Sequence, residues 1–234
     1  MRRLFDLSAP FGGQGARVVH SYIARGWYIP KDATAILLGT FPSVLIREAF
    51  GRIRSGDVDF FYGSKDNNFW RDLSIIYERP LDQERTEAAI RQRMALLDDL
   101  RLGLSDAIFA CHSKGSAMDT ALYDIEPNRQ LIADLDAHPA VTRLYFTSSS
   151  GKVNAESGAL RLLREAGRLK GMKIVQPRGP RRRQFLFTDA GGRSRTIDTI
   201  TLFSPSPLAE QWGALTPESR RAQYREWLPR LPLR

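Results

Sequence analysis

Apolar residues along this chain come in short runs alternating with helical stripes, an order that predicts a parallel sheet covered by helices. The run at 35–38, Ala-Ile-Leu-Leu, has strand length and stops at Gly39, followed by Thr40, Phe41, Pro42 and Ser43. A continuous apolar run ending in glycine predicts a buried parallel strand that opens into a loop. Further strands are predicted at 104–111, 141–147 and 197–203, with a short one at 172–175 and a strand-like stretch at 184–188. Helices are expected over 68–77, 84–100, 154–169 and 216–227, with a short one over 16–25. In 84–100, Ala88, Ile90, Met94, Leu96, Leu97 and Leu100 fall roughly on one side, as in a helix that buries one face. The expected class is α/β: a three-layer α/β/α sandwich around a mostly parallel sheet. Residues 1–32 are expected to form an arm packed on a domain spanning 33–234, with a basic hairpin inserted at about 177–196.

In open α/β sheets, ligands bind at the carboxyl ends of the strands, which draws attention to the chain just beyond residues 35–38. About twenty residues on lies a dense cluster: Phe60, Phe61, Tyr62, Gly63, Ser64, Lys65, Asp66, Asn67, Asn68, Phe69 and Trp70. Rings offer stacking surfaces and carboxamides both donate and accept, the requirements of a flat heteroaromatic ligand. Phe60, Phe69 and Trp70 also suit a core, whereas amides placed there need partners.

Charge narrows the partner. The 234 residues carry a formal charge of +9, and with no basic amphipathic helix in view this points to nucleic acid rather than a membrane. Pro177, Arg178, Gly179, Pro180, Arg181, Arg182 and Arg183 form the densest basic run, ahead of a Gly191-Gly192 turn with Arg193 and Arg195. A phosphate-contacting edge is expected there. The single cysteine, Cys111, excludes an internal disulfide framework and a cysteine-held iron–sulfur cluster. The three histidines lack metal-ligand spacing, and no cofactor or metal is expected. Ser148, Ser149, Ser150, Gly151 and Lys152 do not complete a phosphate loop, because Phe146 and Val153 stand where glycine and a hydroxyl residue are required. Ser148 and Lys152 still suit a DNA phosphate. No signal-peptide core comes after Arg2 and Arg3, so a cytoplasmic, nucleoid-associated monomer is expected.

Leu38 to Ser43, then Phe61, Tyr62 and Gly63, then Asn67, Asn68, Phe69 and Trp70 resemble the first signature of the uracil-DNA glycosylase superfamily, closest to its mismatch-specific uracil and hypoxanthine-DNA branches. Asp106, Cys111, Gly115, Ser116 and Asp119 resemble an intermediate segment of those branches. Ser204, Pro205, Ser206, Pro207, Leu208 and Ala209 resemble the second signature, the loop that enters the DNA minor groove.

The resemblance implies a four-stranded sheet with both signature loops at its carboxyl edge. It also implies release of a damaged base, uracil or hypoxanthine foremost, from double-stranded DNA. Tyr62 would stack on the flipped base, with Gly39, Thr40, Phe41 and Ser64 around it. Leu208 would be the apolar wedge, and Ser43, Lys65, Ser204 and Ser206 would contact DNA. The mismatch-specific enzymes carry Asn where this chain has Phe41, which neither orients water nor bonds a base. The hypoxanthine branch relies instead on an Asn that maps to Asn67, so the expected catalytic group is Asn67, with Asn68 and Asp106 as alternates. His112, near a strand end, is a further candidate base. Ser64 and Lys65 replace the usual His-Pro, which leaves room for modified bases of phage DNA as alternative targets. Phe41 also motivates a catalytically inert DNA binder. A nucleoside hydrolase is the remaining alternative, and would not need the arginine run.

Overall fold

The computed structural model describes residues 15, 17–24, 26, 28–42, 55–114, 118–211 and 215–232. Among the described residues, nine strands form two sheets: β1 Arg17–Val19, β2 Ala35–Gly39, β3 Leu102–Asp106, β4 Ile108–Ser113, β5 Leu122–Pro127, β6 Arg143–Phe146, β7 Leu169–Gln176, β8 Arg182–Thr188 and β9 Ser194–Thr201. The main sheet has the order β3-β2-β6-β9-β8-β7, and β1-β4-β5 form a smaller antiparallel sheet. Strands β3, β2, β6 and β9 run parallel, whereas β8 pairs antiparallel with both β9 and β7.

Six strands therefore replace the four expected. The basic stretch belongs to the sheet: β8 and β9 pair continuously from Arg182↔Ile200 to Thr188↔Ser194. Phe185 and Phe187 are buried by this pairing, so the segment extends the core. Beyond it, β7 is a largely exposed edge strand carrying Lys170 and Lys173, charges of the kind that discourage edge-to-edge pairing.

Alternation along the strands sends side chains to two faces. Leu37, Tyr145 and Ile200 join Leu73, Leu97 and Tyr224 on one side. Ile36, Leu38, Leu144 and Phe146 join Leu135, Leu160 and Leu163 on the other. Helices thus flank the sheet. On the first side lie α2 Phe69–Tyr77, α3 Glu87–Leu100 and α7 Pro217–Trp227; on the second, α4 Gln130–Ala137 and α5 Ala155–Glu165. Two small helices, α1 Ser21–Ala24 and α6 Pro207–Gln211, complete the set. Local chemistry sets their limits: Thr86, Asn154 and Thr216 accept hydrogen bonds from backbone N–H groups three residues on, satisfying donors that a helix start leaves orphaned. The helix expected to reach 169 stops at Glu165 because Gly167 takes φ 71°, a left-handed turn, and Leu169 begins β7.

The predicted strand at 104–111 is two strands of different sheets. Asp106 ends β3 and Ile108 begins β4. At the switch, the Ala107 N–H donates to Gly39 O at 2.9 Å, and the buried Asn128 side chain donates to Asp106 O at 2.8 Å. Of the expected helix over 16–25, residues 17–19 form a strand paired with β4. The described part of 1–32 is woven into the domain rather than laid on it. Residues 11–14 and 43–54 lie outside the described residues.

Asp134 on α4 is buried, with Oδ2 lacking a hydrogen-bond partner. Burial pushes its carboxyl up to about 6. An acid that holds its proton more tightly when folded lowers stability above that value, and the penalty fades as pH falls from about 6 toward the unfolded carboxyl range near 4. Asp134→Asn should therefore have a higher Tm than the parent at pH 8, with the gap closing toward pH 4. Thermal melts across that range check it.

A candidate active site at the carboxyl edge of the parallel strands

Strand β2 delivers Gly39 and Thr40 to the carboxyl edge, where Gly39 registers with Asp106 at the end of β3. Above that edge lies a cavity of about 620 Å³, a size that holds a whole small ligand. Its walls come from the end of β2, the loop 60–68, the ends of β3 and β6, and the segment 204–210.

Tyr62 forms one wall. Its ring lies against Phe69, with centroids 4.6 Å apart, and its hydroxyl is 3.3 Å from Thr147 Oγ1. Burial, then the nearby Asp106 charge, holds the phenol far above its ordinary value, so Tyr62 is a neutral ring at any working pH. Its backbone sits at φ 55°, a left-handed conformation that costs about 1–3 kcal/mol for a non-glycine residue. The surrounding turn enforces it: Gly63 N–H donates to Phe60 O at 2.9 Å, and Val58 N–H to Gly63 O at 2.7 Å.

Asn67 accepts from the Phe69 N–H through Oδ1 at 2.9 Å, an Asx turn in which the amide NH₂ is the donor Asn67 has for the cavity. Asn68 has a different task. Its backbone N–H donates to Pro205 O at 3.0 Å and its Nδ2 to Glu210 Oε1 at 2.8 Å. Glu210 is also bonded by the fully buried Arg220, whose Nε reaches Asp72 Oδ2 at 2.5 Å. The loop 60–68 and the segment 204–210 are thereby tied to one ionic network.

Leu208 lies in α6 on the cavity rim, half-buried and in neither main core cluster. Ser204 and Ser206 share that rim. Thr40 Oγ1 and Ser148 Oγ are 2.7 Å apart, and Ser148 also accepts from the Ala155 N–H at the start of α5. Ser64 is buried in the wall, while Lys65 lines the opening with Nζ donating to Ser55 O at 3.0 Å. Phe41 is only 9% exposed, and its ring meets that of His20 edge-on at 5.5 Å. Phe41 contributes an apolar wall and no hydrogen bond from its side chain.

The expected arginine edge stands elsewhere. Arg181 and Arg183 both pair with Glu156, which is 1% exposed, the latter at 2.6 Å. Arg182 lies over the Trp227 ring at 4.9 Å. These three side chains, like Lys152, do not line the cavity, and the charges of Arg181 and Arg183 are occupied in neutralising a buried carboxylate. Ser43, Gly115 and Ser116 fall outside the described residues. His112 bonds Gly15 O at 2.9 Å and is not in the cavity.

Several contributors escaped the sequence. Arg71 is exposed at the opening, Thr147 and Glu210 line the wall, and His20 contacts Asp106 Oδ2 at 2.6 Å from behind it. For Arg71, its place one residue after Trp70 was the one signal. His20 carries none, since nothing local links it to a residue 86 positions away. Among the described residues, no three of His, Cys, Asp and Glu gather as metal ligands, and no helix is long and apolar enough to cross a membrane. No protein-family model, curated protein or solved structure matches the chain.

Proposed function

We propose that this protein is a DNA glycosylase that takes an extruded nucleotide into the cavity and hydrolyses its N-glycosidic bond. The observation that carries the proposal is the meeting of Tyr62, Asn67, Asp106 and Leu208, from three separate stretches of chain, around one cavity. The reacting sugar carbon is inaccessible within a stacked duplex, so such an enzyme must swing the nucleotide out. Leu208 fills the vacated space and offsets part of an unstacking cost of about a few kcal/mol. Tyr62 stacks on the base. Bond cleavage leaves negative charge on the base and positive charge on the sugar. The Asn67 amide donates to the first, and the Asp106 carboxylate faces the second. Arg71 and Lys65 at the opening, with Ser204 and Ser206, engage phosphates, in place of the arginines tied to Glu156.

Uracil and hypoxanthine are the first substrates to try. Bulky modified bases are the second, favoured by a cavity of about 620 Å³, roomier than a bare pyrimidine requires. Labelled duplexes carrying uracil, hypoxanthine, xanthine or bulky modified cytosines, incubated with protein and then treated with hot alkali, should show strand breakage on at least one. Asn67→Ala should slow that reaction by about 10²–10³-fold, the effect of removing one donor to a developing anion. Undiminished turnover would remove Asn67 from its role. Salt-sensitive binding with no break on any duplex would replace the enzyme by an inert DNA binder.

A further inference from the structure

His20 is a buried titratable residue with no part in the base-release chemistry assigned to Tyr62, Asn67 and Asp106. It is fully buried between β1 and α1, and its backbone N–H donates to Phe109 O at 2.7 Å. Its ring centroid is 5.9 Å from that of Tyr22 and 5.5 Å from those of Phe41 and Phe61. Nδ1 lies 3.3 Å from the Ile23 backbone nitrogen. A backbone N–H only donates, so Nδ1 is the acceptor and the ring proton sits on Nε2. Nε2 in turn donates to Asp106 Oδ2 at 2.6 Å. One oxygen of Asp106 is fixed from behind the cavity. The other, Oδ1, lies against Gly39 on the side of the Tyr62 hydroxyl.

We infer that His20 is a positioning residue, holding the Asp106 side chain against the sugar carbon of the extruded nucleotide; this rests on the proposed release of a base. The bond from the sugar carbon to the base nitrogen breaks, and its electron pair leaves with the base. A water oxygen bonds to the same carbon and passes its proton to Asp106 Oδ1, while the departing base takes a proton from solvent. His20 keeps its Nε2 proton throughout, because the Ile23 N–H fixes the tautomer. A carboxylate already aimed at a developing cation stabilises it without reorganisation.

The test uses binding as well as turnover. One duplex carries a pyrrolidine abasic analogue, cationic where the sugar gains charge; a matched duplex carries neutral tetrahydrofuran. The full chain should bind the cationic duplex about 100-fold tighter, as expected for a mimic of the transition state. His20→Met fills the space without a donor and should erase that preference while neutral-duplex binding holds, with some loss of Tm because a buried carboxylate oxygen loses its partner. His20→Gln restores an N–H and should recover most of it, and Asp106→Asn should lose it. On a cleaved duplex, His20→Met should lower kcat with KM unchanged. A folded His20→Met that keeps the preference overturns the role of His20 and leaves base release standing. A parent that binds both probes equally removes Asp106 from the sugar and the role of His20 with it. If His20→Met does not fold, His20→Gln decides: the preference retained supports the role, and its loss overturns it.

Discussion

Gly39→Ala should suppress base release by at least about 100-fold, the loss that a misplacement of about 1 Å inflicts on a reacting geometry, while the protein stays folded. A methyl group on Gly39 would overlap Asp106 Oδ1 and lie 2.6 Å from the Tyr62 hydroxyl. Both are side-chain ends, so the strand backbone can keep its register and the strain passes to the two groups on which the chemistry is proposed to depend. Asp106 has little freedom to yield, being bonded to His20 through Oδ2 and fixed by Asn128 at its carbonyl. Turnover measured beside Tm separates the cases. A variant with unchanged Tm and full activity would mean that the meeting of Asp106 and Tyr62 is not where the reaction occurs.

Arg220→Met should lower stability by about 3–5 kcal/mol, the range for breaking a buried ion pair from one side. For a domain of 234 residues that is a Tm drop on the order of 10 °C. The guanidinium is fully buried between Asp72 and Glu210, and removing it strands both carboxylates. Arg221, 3.4 Å from Asp72, compensates one of them in part. Adding Asp72→Asn should return some of the loss, because the charge left uncompensated is then gone. Chemical denaturation of the two variants checks the order. A single variant within about 1 kcal/mol of the parent would mean the network is not under load, since breaking buried pairs costs more than that.

Much of the main sheet was legible because its strands are continuously apolar. The run at 35–38 became Ala35–Gly39, and its glycine end does open onto the cavity. The loop bearing Tyr62 and the short helix bearing Leu208 both line that same cavity. What stayed hidden has a common physical cause: periodicity reports which residues are buried, not which neighbours they meet. At the change of sheet only Ser105 and Asp106 interrupt the apolar residues, a break too short to mark the end of one strand and the start of another. The run at 181–183 reads as a phosphate-contacting edge because Glu156, its buried partner, lies 25 positions earlier than Arg181 on another element. His20 was overlooked for the same reason. Phe41 invited doubt about catalysis, and a carboxylate held by that histidine answers it if base release is the reaction.

The bond network through Asn68, Glu210 and Arg220 also bears on how a duplex would be searched. If base release is the reaction, Tyr62 and Leu208, anchored to a shared scaffold, would give the jaw a preset gauge, and accommodation would fall to the double helix. Steps that bend or unpair readily, mismatches and lesions among them, would be sampled first. The compliance of the DNA, more than any suppleness of the protein, would then decide where the enzyme pauses.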